Sequence, residues 1–141
     1  MITRRDLIAA GAVVVAQAAV ASAADAPVPG SAPAQTLARA ALDCVRTGEA
    51  CLQHCLTLLA TGDKTLGECA QMVNQMLAVC RAVGPIVDAG GKYVRPTAQL
   101  CRDVCSDCEQ VCRQHAQQHT ICATCADACA AAVAAAKQVI A

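Results

Sequence analysis

The sequence predicts an all-α protein, an antiparallel up-down-up-down four-helix bundle with a cysteine-lined core. Twelve cysteines are grouped in clusters in which successive members lie 3, 4, 7 or 11 residues apart. These steps return a side chain to nearly the same side of a helix, so each cluster forms a stripe on one face. The chain contains no Phe or Trp, and Tyr93 is its one aromatic residue. Cysteine therefore takes the inward positions that large apolar residues usually fill.

Residues 1–23 have the features of an export signal. Arg4 and Arg5 precede an apolar run over residues 9–21, and cleavage is expected after Ala23. The paired arginines resemble a twin-arginine signal, which directs folded proteins across a membrane. A general secretory signal is the alternative. The run is too short and too rich in alanine for stable membrane insertion, which needs about 20 apolar residues.

The rest of the chain divides into a leader and one domain. Residues 24–33, rich in Pro and Gly, predict a flexible leader. Residues 34–141 have the size of a single domain and are expected to form the four-helix metal-binding unit. Eleven basic and eleven acidic residues give a net charge of zero. This balance, together with a single aromatic side chain, argues against a nucleic acid partner.

Turn and cap signals place the helix boundaries. Thr65 and Glu68 have the spacing of a capping box, and Thr120 is expected to cap the last helix. Gly84-Pro85 is expected to stop the second helix, because proline disfavours helical geometry in the preceding residue. The predicted helices cover residues 34–60, 66–83, about 93–117 and 120–140. Their short connections favour antiparallel neighbours in a bundle.

In an antiparallel bundle the stripes are expected to meet in layers. Counting from the end that holds the first and third loops predicts a first layer of Cys55, Cys69, Cys112 and Cys125, and a last layer of Cys44, Cys80 and Cys101. His115, Cys122, His54 and His119 are expected at the loop end, where metal would enter. Apolar residues are expected to close the far end, namely Leu37, Val83 and Val133.

Soft-metal binding explains this sulfur best. A Cys₄ zinc site carries a net charge of −2, so twelve thiolates around zinc would bury several negative charges without Lys or Arg beside them. An iron–sulfur cluster is a further alternative. Cu(I) is monovalent and soft, and bridging thiolates at about one ion per sulfur give a neutral array. We therefore predict multiple Cu(I) ions as the cargo, about one per cysteine.

The predicted ligands include residues other than cysteine. Met72 and Met76 lie among the cysteines of the second helix, and His115 continues the stripe of the third. Whether His54 and His119 ligate metal, or are solvated at the rim, stays open. The complete predicted metal-ligand set is Cys44, Cys51, Cys55, Cys69, Cys80, Cys101, Cys105, Cys108, Cys112, Cys122, Cys125, Cys129, Met72, Met76 and His115.

Three other interpretations compete with a metal store. An exported protein with an even number of cysteines is often stapled by disulfides, which here would make a structural or redox bundle. Side chains four apart on a helix are too distant for a relaxed disulfide, but pairs between facing helices, such as Cys112 with Cys122, remain available. A copper chaperone that delivers one ion is a second alternative. It needs only a few ligands in an exposed motif, so twelve buried sulfurs are more than it requires. An enzyme is not expected, because no catalytic constellation appears and a catalytic cysteine is ordinarily one special thiol.

The region from Leu37 to Cys129 resembles the exported branch of the four-helix-bundle copper storage proteins, known from methane-oxidising bacteria. The resemblance rests on four motifs: Cys44-x6-Cys51-x3-Cys55-Leu, a Thr-Gly-Asp turn before the helix with Cys69 and Cys80, Cys101-x3-Cys105-x2-Cys108-x3-Cys112, and Cys122-x2-Cys125-x3-Cys129. Family members can carry a further cysteine in the last helix, whereas this chain continues with Ala130-Ala131-Ala132-Val133.

The resemblance has implications for function. It implies core cysteines that hold many Cu(I) ions, with histidine or methionine assisting at one open end, and assembly into a homo-oligomer. It also implies a copper reservoir in the periplasm or the intracytoplasmic-membrane lumen. Such a reservoir would supply a copper-dependent methane oxidase or another copper acceptor, or would protect the cell from copper toxicity.

Overall fold

A computed structural model describes residues 30–141. The predicted export signal and most of the predicted leader lie outside the described residues. Within this range the chain forms four helices and no strand: α1 (Ala32–Ala60), α2 (Gly67–Ala89), α3 (Val94–His115) and α4 (Thr120–Ile140). The all-α prediction is confirmed.

The four helices form an antiparallel ring. Each helix packs against the next along the chain, α4 packs back against α1, and the diagonal pair α1 and α3 scarcely meet. The connections are short, over residues 61–66, 90–93 and 116–119. Such links reverse the chain direction at each step. The bundle prediction is therefore confirmed as well.

The start of α1 differs from the prediction by two residues. The helix begins at Ala32, so Ala32 and Pro33 belong to it and not to the leader. Proline is tolerated there, because an N–H in the first turn has no intrahelical partner and the fixed φ of proline suits a helix.

The predicted stop at Gly84-Pro85 is wrong, because α2 continues to Ala89 with Pro85 inside it. Gly84 has no Cβ, which removes part of the clash that proline imposes on the preceding residue. The apolar residues beyond the proline add burial, since Val87 is only 1% exposed. The connector is therefore residues 90–93, and the backbone turns at Gly90 and Gly91, which have φ of 70° and 83°.

Both predicted caps are also wrong. Thr65 donates its backbone N–H and its hydroxyl to Asp63 Oδ1, at 3.0 and 2.7 Å, and its side chain does not cap α2. The N-cap position of α4 is His119, and Thr120 is the first helical residue. The chain enters α2 one residue later than the pattern predicts and α4 one residue earlier, so Leu66 and His119 take the two N-cap positions instead of the threonines.

The core has a sulfur-lined part and an apolar part. All twelve cysteines are buried, and beyond them α1 and α2 contribute Leu37, Val83 and Val87. Leu37 and Val83 close the far end as predicted, but Val133 is only half-buried. Ala132 and Ala136 take the inward positions on α4 in its place.

One described helix, α4, has the length and apolar composition of a membrane span. This is weak evidence, because the core helix of a bundle has the same composition. The buried cysteines and alanines of α4 face the interior of the ring.

Candidate metal centre

The cysteines converge on the interior of the bundle as free thiols. None of the twelve cysteines, all within residues 30–141, forms a disulfide. Their sulfur atoms approach to 3.6 Å for Cys69 and Cys112 and for Cys80 and Cys105. Cys112 and Cys122, the pair considered for a staple, are not brought into one cluster. The thiols are therefore close enough to share an ion without being covalently joined.

The twelve sulfurs form five groups, each with Sγ atoms within 4.8 Å of one another. The group at the mouth, here called the mouth cluster, contains Cys51, Cys55, Cys69 and Cys122. The group at the opposite end, here called the deep cluster, contains Cys80, Cys101 and Cys105. Three groups lie between them: Cys51 with Cys112 and Cys125, Cys108 with Cys125 and Cys129, and Cys44 with Cys105 and Cys129.

Shared members join these groups into one array. Cys51, Cys125, Cys129 and Cys105 each belong to two groups, so every group has a sulfur in common with the next. A shared thiolate is a bridging ligand. The arrangement is thus a continuous chain of overlapping sites, and not a set of separate tetrahedral ones.

The predicted layers were only partly right. The structure joins Cys55 and Cys69 as expected, but it groups Cys112 and Cys125 with Cys51 and adds Cys122 to the mouth cluster. At the deep end it separates Cys44 from the group of Cys80 and Cys101. The helix ends at the mouth do not lie at a common level. Cys69 and Cys122 lie in the first turn of α2 and α4, whereas Cys55 lies more than a turn before the end of α1.

Hydrogen bonds make the thiols of the mouth cluster unequal. Thiols of Cys112 and then Cys51 donate to Cys69 and lower its pKa to about 3. Burial, followed by the charge of Cys69, raises the pKa of Cys55 to about 12 and that of Cys122 to about 11. One thiolate therefore forms readily, and its neighbours resist losing their protons.

The deep cluster repeats this pattern. The thiols of Cys105 and then Cys80 donate to Cys101 and lower its pKa to about 4. The hydrogen bond to Cys101 raises the pKa of both Cys80 and Cys105. Within residues 30–141 no Lys, Arg, Asp or Glu is buried, and Thr47 is the one buried polar residue. The interior therefore has no fixed positive charge to offset a set of thiolates.

The histidines occupy the rim of the mouth. His54 Nε2 and His119 Nδ1 lie 3.0 Å apart, so one ring donates a hydrogen bond to the other across α1 and the α3–α4 loop. This pair was not predicted, because their spacing of 65 residues gives no local signal. His115 is half-buried at the end of α3. Among residues 30–141 no histidine joins a cysteine group, and a ligand role for His115 stays a prediction.

The two methionines differ in their surroundings. Met76 is fully buried, and its Cε lies only 2.6 Å from the position that a Cβ on Gly48 would take. It thus fills the gap that the glycine leaves in the α1 stripe. Met72 is half-buried and lines a shallow surface depression with Gln71 and Val111. For both residues, metal ligation stays a prediction.

Comparison with protein families agrees with this geometry. A family model described as copper storage protein matches residues 31–141, which is the whole helical bundle. The chain belongs to the copper storage protein family. No individual curated protein matches it with significant sequence similarity. The predicted family resemblance is thereby confirmed, while the exported branch stays a prediction.

Membership of the copper storage protein family indicates copper storage, and the clustered cysteines fit copper binding. Thiolate sulfur is the ligand that soft Cu(I) prefers among protein groups. The family is one of metal storage in general and not of catalysis.

Proposed function

We propose that this protein is an exported, non-enzymatic copper store that holds many Cu(I) ions on its core thiolates. The observation that carries the proposal is the overlap of the five sulfur groups, in which four cysteines each belong to two groups. Overlapping thiols suit an ion that accepts bridging sulfur and low coordination. They suit structural zinc poorly, because it takes four ligands in a closed tetrahedron.

Charge supports Cu(I) over a divalent ion. The interior of the described bundle holds no buried base, so the charge of the thiolates has to be balanced by the cargo itself. A monovalent ion at about one per thiolate leaves the array neutral. Divalent zinc at one ion per four thiolates would leave each site at −2, with a desolvation cost of several kcal/mol per ion.

The cellular role is the second part of the proposal. The Arg4-Arg5 motif and the apolar run after it support export to the periplasm or the intracytoplasmic-membrane lumen. In that compartment the protein would supply copper to a copper-dependent methane oxidase or another acceptor, or would limit copper toxicity. Assembly into a homo-oligomer is proposed from the family resemblance. Met72, Met76 and His115 are proposed as accessory ligands.

Anaerobic titration of the reduced protein with Cu(I) tests the storage function. Saturation is expected near one ion per cysteine, about twelve in all, because bridging ligands are shared. Far-ultraviolet circular dichroism should change little, since the helices are already formed. Protein whose thiols have all been alkylated after unfolding is the control and should bind no copper. Saturation at one or two Cu(I) ions, with about three zinc ions binding tightly instead, would refute the proposal.

The disulfide-stapled alternative has its own measurement. Thiol counting in denaturant, on freshly purified protein from which copper has been removed, should find about twelve thiols for a store. A count near zero would favour a stapled structural or redox bundle.

A further inference from the structure

A groove between α1 and α2 opens onto the sulfur array far from the mouth. It has a volume of about 350 Å³, and its walls include Ala38, Leu42 and Val45 from α1 and Pro85 from α2. Cys80, a member of the deep cluster, also lines this groove. A cavity of this volume suits a small molecule and not a protein segment.

Cys80 is the point at which the array comes nearest to solvent on this side. It is 2% exposed, whereas the other eleven cysteines are each 0% exposed. Its sulfur lies 3.6 Å from that of Cys105. A ligand that reached Cys80 through the groove would therefore be in contact with the end of a continuous chain of sulfur.

The local backbone of α2 makes the groove both open and polar at one point. A Cβ on Gly84 would meet no atom within 4 Å, so the glycine leaves free space in the wall. Pro85 has no N–H, so the carbonyl of Arg81 lacks its helical donor. Both Arg81 and Pro85 line the groove. An acceptor for an incoming N–H is thus available there.

One cation of the groove wall is free to bind an anion. Among residues 30–141 Arg39 forms no ion pair, and its Nη2 donates to Thr36 Oγ1 at 3.2 Å. Arg81, the other basic residue of the wall, pairs with Glu49 at 2.9 Å. Asp88 also lines the wall and forms no ion pair among residues 30–141, so it can receive an ammonium group. The groove therefore combines apolar walls, a free guanidinium, a free carboxylate, an available carbonyl and a sulfur at its floor.

We propose that this groove is a side port through which a small zwitterionic thiol with an amide N–H takes Cu(I) from Cys80. The inference rests on the proposed storage function. In the exchange, the sulfur of the incoming thiol forms a bond to Cu(I) while the bond from Cys80 to Cu(I) breaks. The proton of the incoming thiol passes to the Cys80 sulfur. A second thiol displaces the remaining cysteine ligand in the same way, so Cu(I) leaves on two thiol sulfurs and each released protein sulfur gains a proton. Copper remains Cu(I) throughout, so no oxidant or reductant is required.

Alkylation of the metal-free protein tests the port without copper. Iodoacetamide labelling of the folded, reduced protein is followed residue by residue with mass spectrometry. Ala38→Leu places a larger side chain in the groove and is expected to slow labelling of Cys80 at least fivefold, with no change at Cys122 in the mouth. Ala131→Leu is the matched control, because it makes the same change on an exposed position of α4. Equal Cys80 labelling in both variants would overturn the port.

Val45→Phe is the second variant and fills the groove at another position of the α1 wall. It guards against a folding defect in Ala38→Leu, and the helicity of each variant is checked by circular dichroism. Both filled variants are expected to protect Cys80 selectively. Protection of all twelve cysteines alike, or of none, in a folded variant would contradict a port at this position.

Copper transfer tests the exchange itself. Copper-loaded protein is mixed with bathocuproine disulfonate, a rigid Cu(I) chelator larger than glutathione, with and without glutathione as the small zwitterionic thiol. Glutathione is expected to accelerate transfer severalfold, and Ala38→Leu to remove most of that acceleration while the thiol-free rate stays the same. An acceleration that survives filling of the groove overturns the port. A protein that binds no Cu(I) refutes the storage function instead, and the alkylation result separates the two failures.

Discussion

The bundle has two core regions built on the same four helices, and they differ in what stabilises them. From the mouth cluster to the deep cluster the core is lined with cysteine, and beyond it the core is closed by Leu37, Val83, Val87, Ala98 and Ala136. The apolar end gains stability from burial alone, under any solution condition that keeps the chain folded. The sulfur region packs as small hydrophobic side chains while its thiols are protonated, and it gains further when metal replaces the protons.

This difference explains how the bundle can be formed before copper arrives. The apolar end and the protonated thiols supply a continuous buried core, so the sulfur positions are fixed in advance. Metal binding then adds free energy to a state that already exists, instead of creating the fold as in small zinc domains.

Copper loading should reveal the largest difference between the two core regions, because only the sulfur region gains stability from bound metal. An ion that binds only the folded state stabilises it by about 4 kcal/mol at a free concentration a thousand times its Kd, and several ions add to this. We expect the unfolding temperature to rise by tens of degrees in differential scanning calorimetry. Loaded protein from which copper has been removed with a Cu(I) chelator is the control and should return to the unfolding temperature of the metal-free protein. An unchanged unfolding temperature in the loaded protein would mean that the sulfur region is not a binding region.

Alkaline pH should lower the free energy of unfolding of the metal-free protein through the thiols of the sulfur region. The ordinary thiol pKa is 9.0, whereas folding raises that of Cys55 to about 12 and that of Cys122 to about 11. Above pH 9 the unfolded chain loses these protons and the folded chain keeps them, so stability present below pH 9 is lost between pH 9 and 12. Cys69, with a lowered pKa, is ionised in both states there and adds no slope.

Urea unfolding between pH 9.5 and 11 measures this loss. We expect the free energy of unfolding to fall by on the order of 1 kcal/mol per pH unit for each of these two thiols. The copper-loaded protein is the control, because its folded state holds no thiol protons to lose and its stability should not fall as the pH rises. A metal-free protein with constant stability over this range would contradict the thiol assignments.

Leu37→Ala should damage the apolar end and leave the sulfur region functional. Leu37 is fully buried, and truncating a buried leucine costs about 2–5 kcal/mol. Copper capacity should stay at the wild-type number, because the cysteine groups are unchanged. Leu42→Ala is the matched control on the same helix; Leu42 is 69% exposed, and we expect a loss below about 0.5 kcal/mol. Loss of copper capacity in Leu37→Ala would mean that the two regions are not independent.

The same contrast separates what the sequence could predict from what it could not. Helical spacing correctly predicted that all twelve cysteines are buried. A stripe of cysteine on each helix leaves a single way to assemble the bundle, with the four stripes facing inward. The closure of the far end by Leu37 and Val83 followed from the same pattern. These features depend on angles around one helix axis, which spacing determines.

Features that depend on position along the helix axes were harder to predict. The membership of the sulfur groups depends on where each helix begins and ends, and α2 begins at Gly67, one residue later than predicted. The continuation of α2 through Pro85 depends on tertiary burial of Val87, which outweighs the local preference of the Gly-Pro pair. The contact of His54 with His119 joins residues that lie 65 positions apart in the sequence. Each of these required the packed structure.

Gly48→Ala should show how closely the sulfur region is packed. Gly48 lies in the stripe between Cys44 and Cys51, and an added Cβ would lie 2.6 Å from Met76 Cε and 3.0 Å from Leu77 Cδ2. Overpacking of this kind costs about 1–3 kcal/mol, and replacing glycine in a helix returns up to about 1 kcal/mol. The methyl end of Met76 can move, so we expect a net loss of about 1 kcal/mol in urea unfolding. Gly67→Ala, where the nearest atom is Leu59 Cδ2 at 3.9 Å, is the control and should not destabilise. Equal effects at the two glycines would mean that the sulfur region is loosely packed around Gly48.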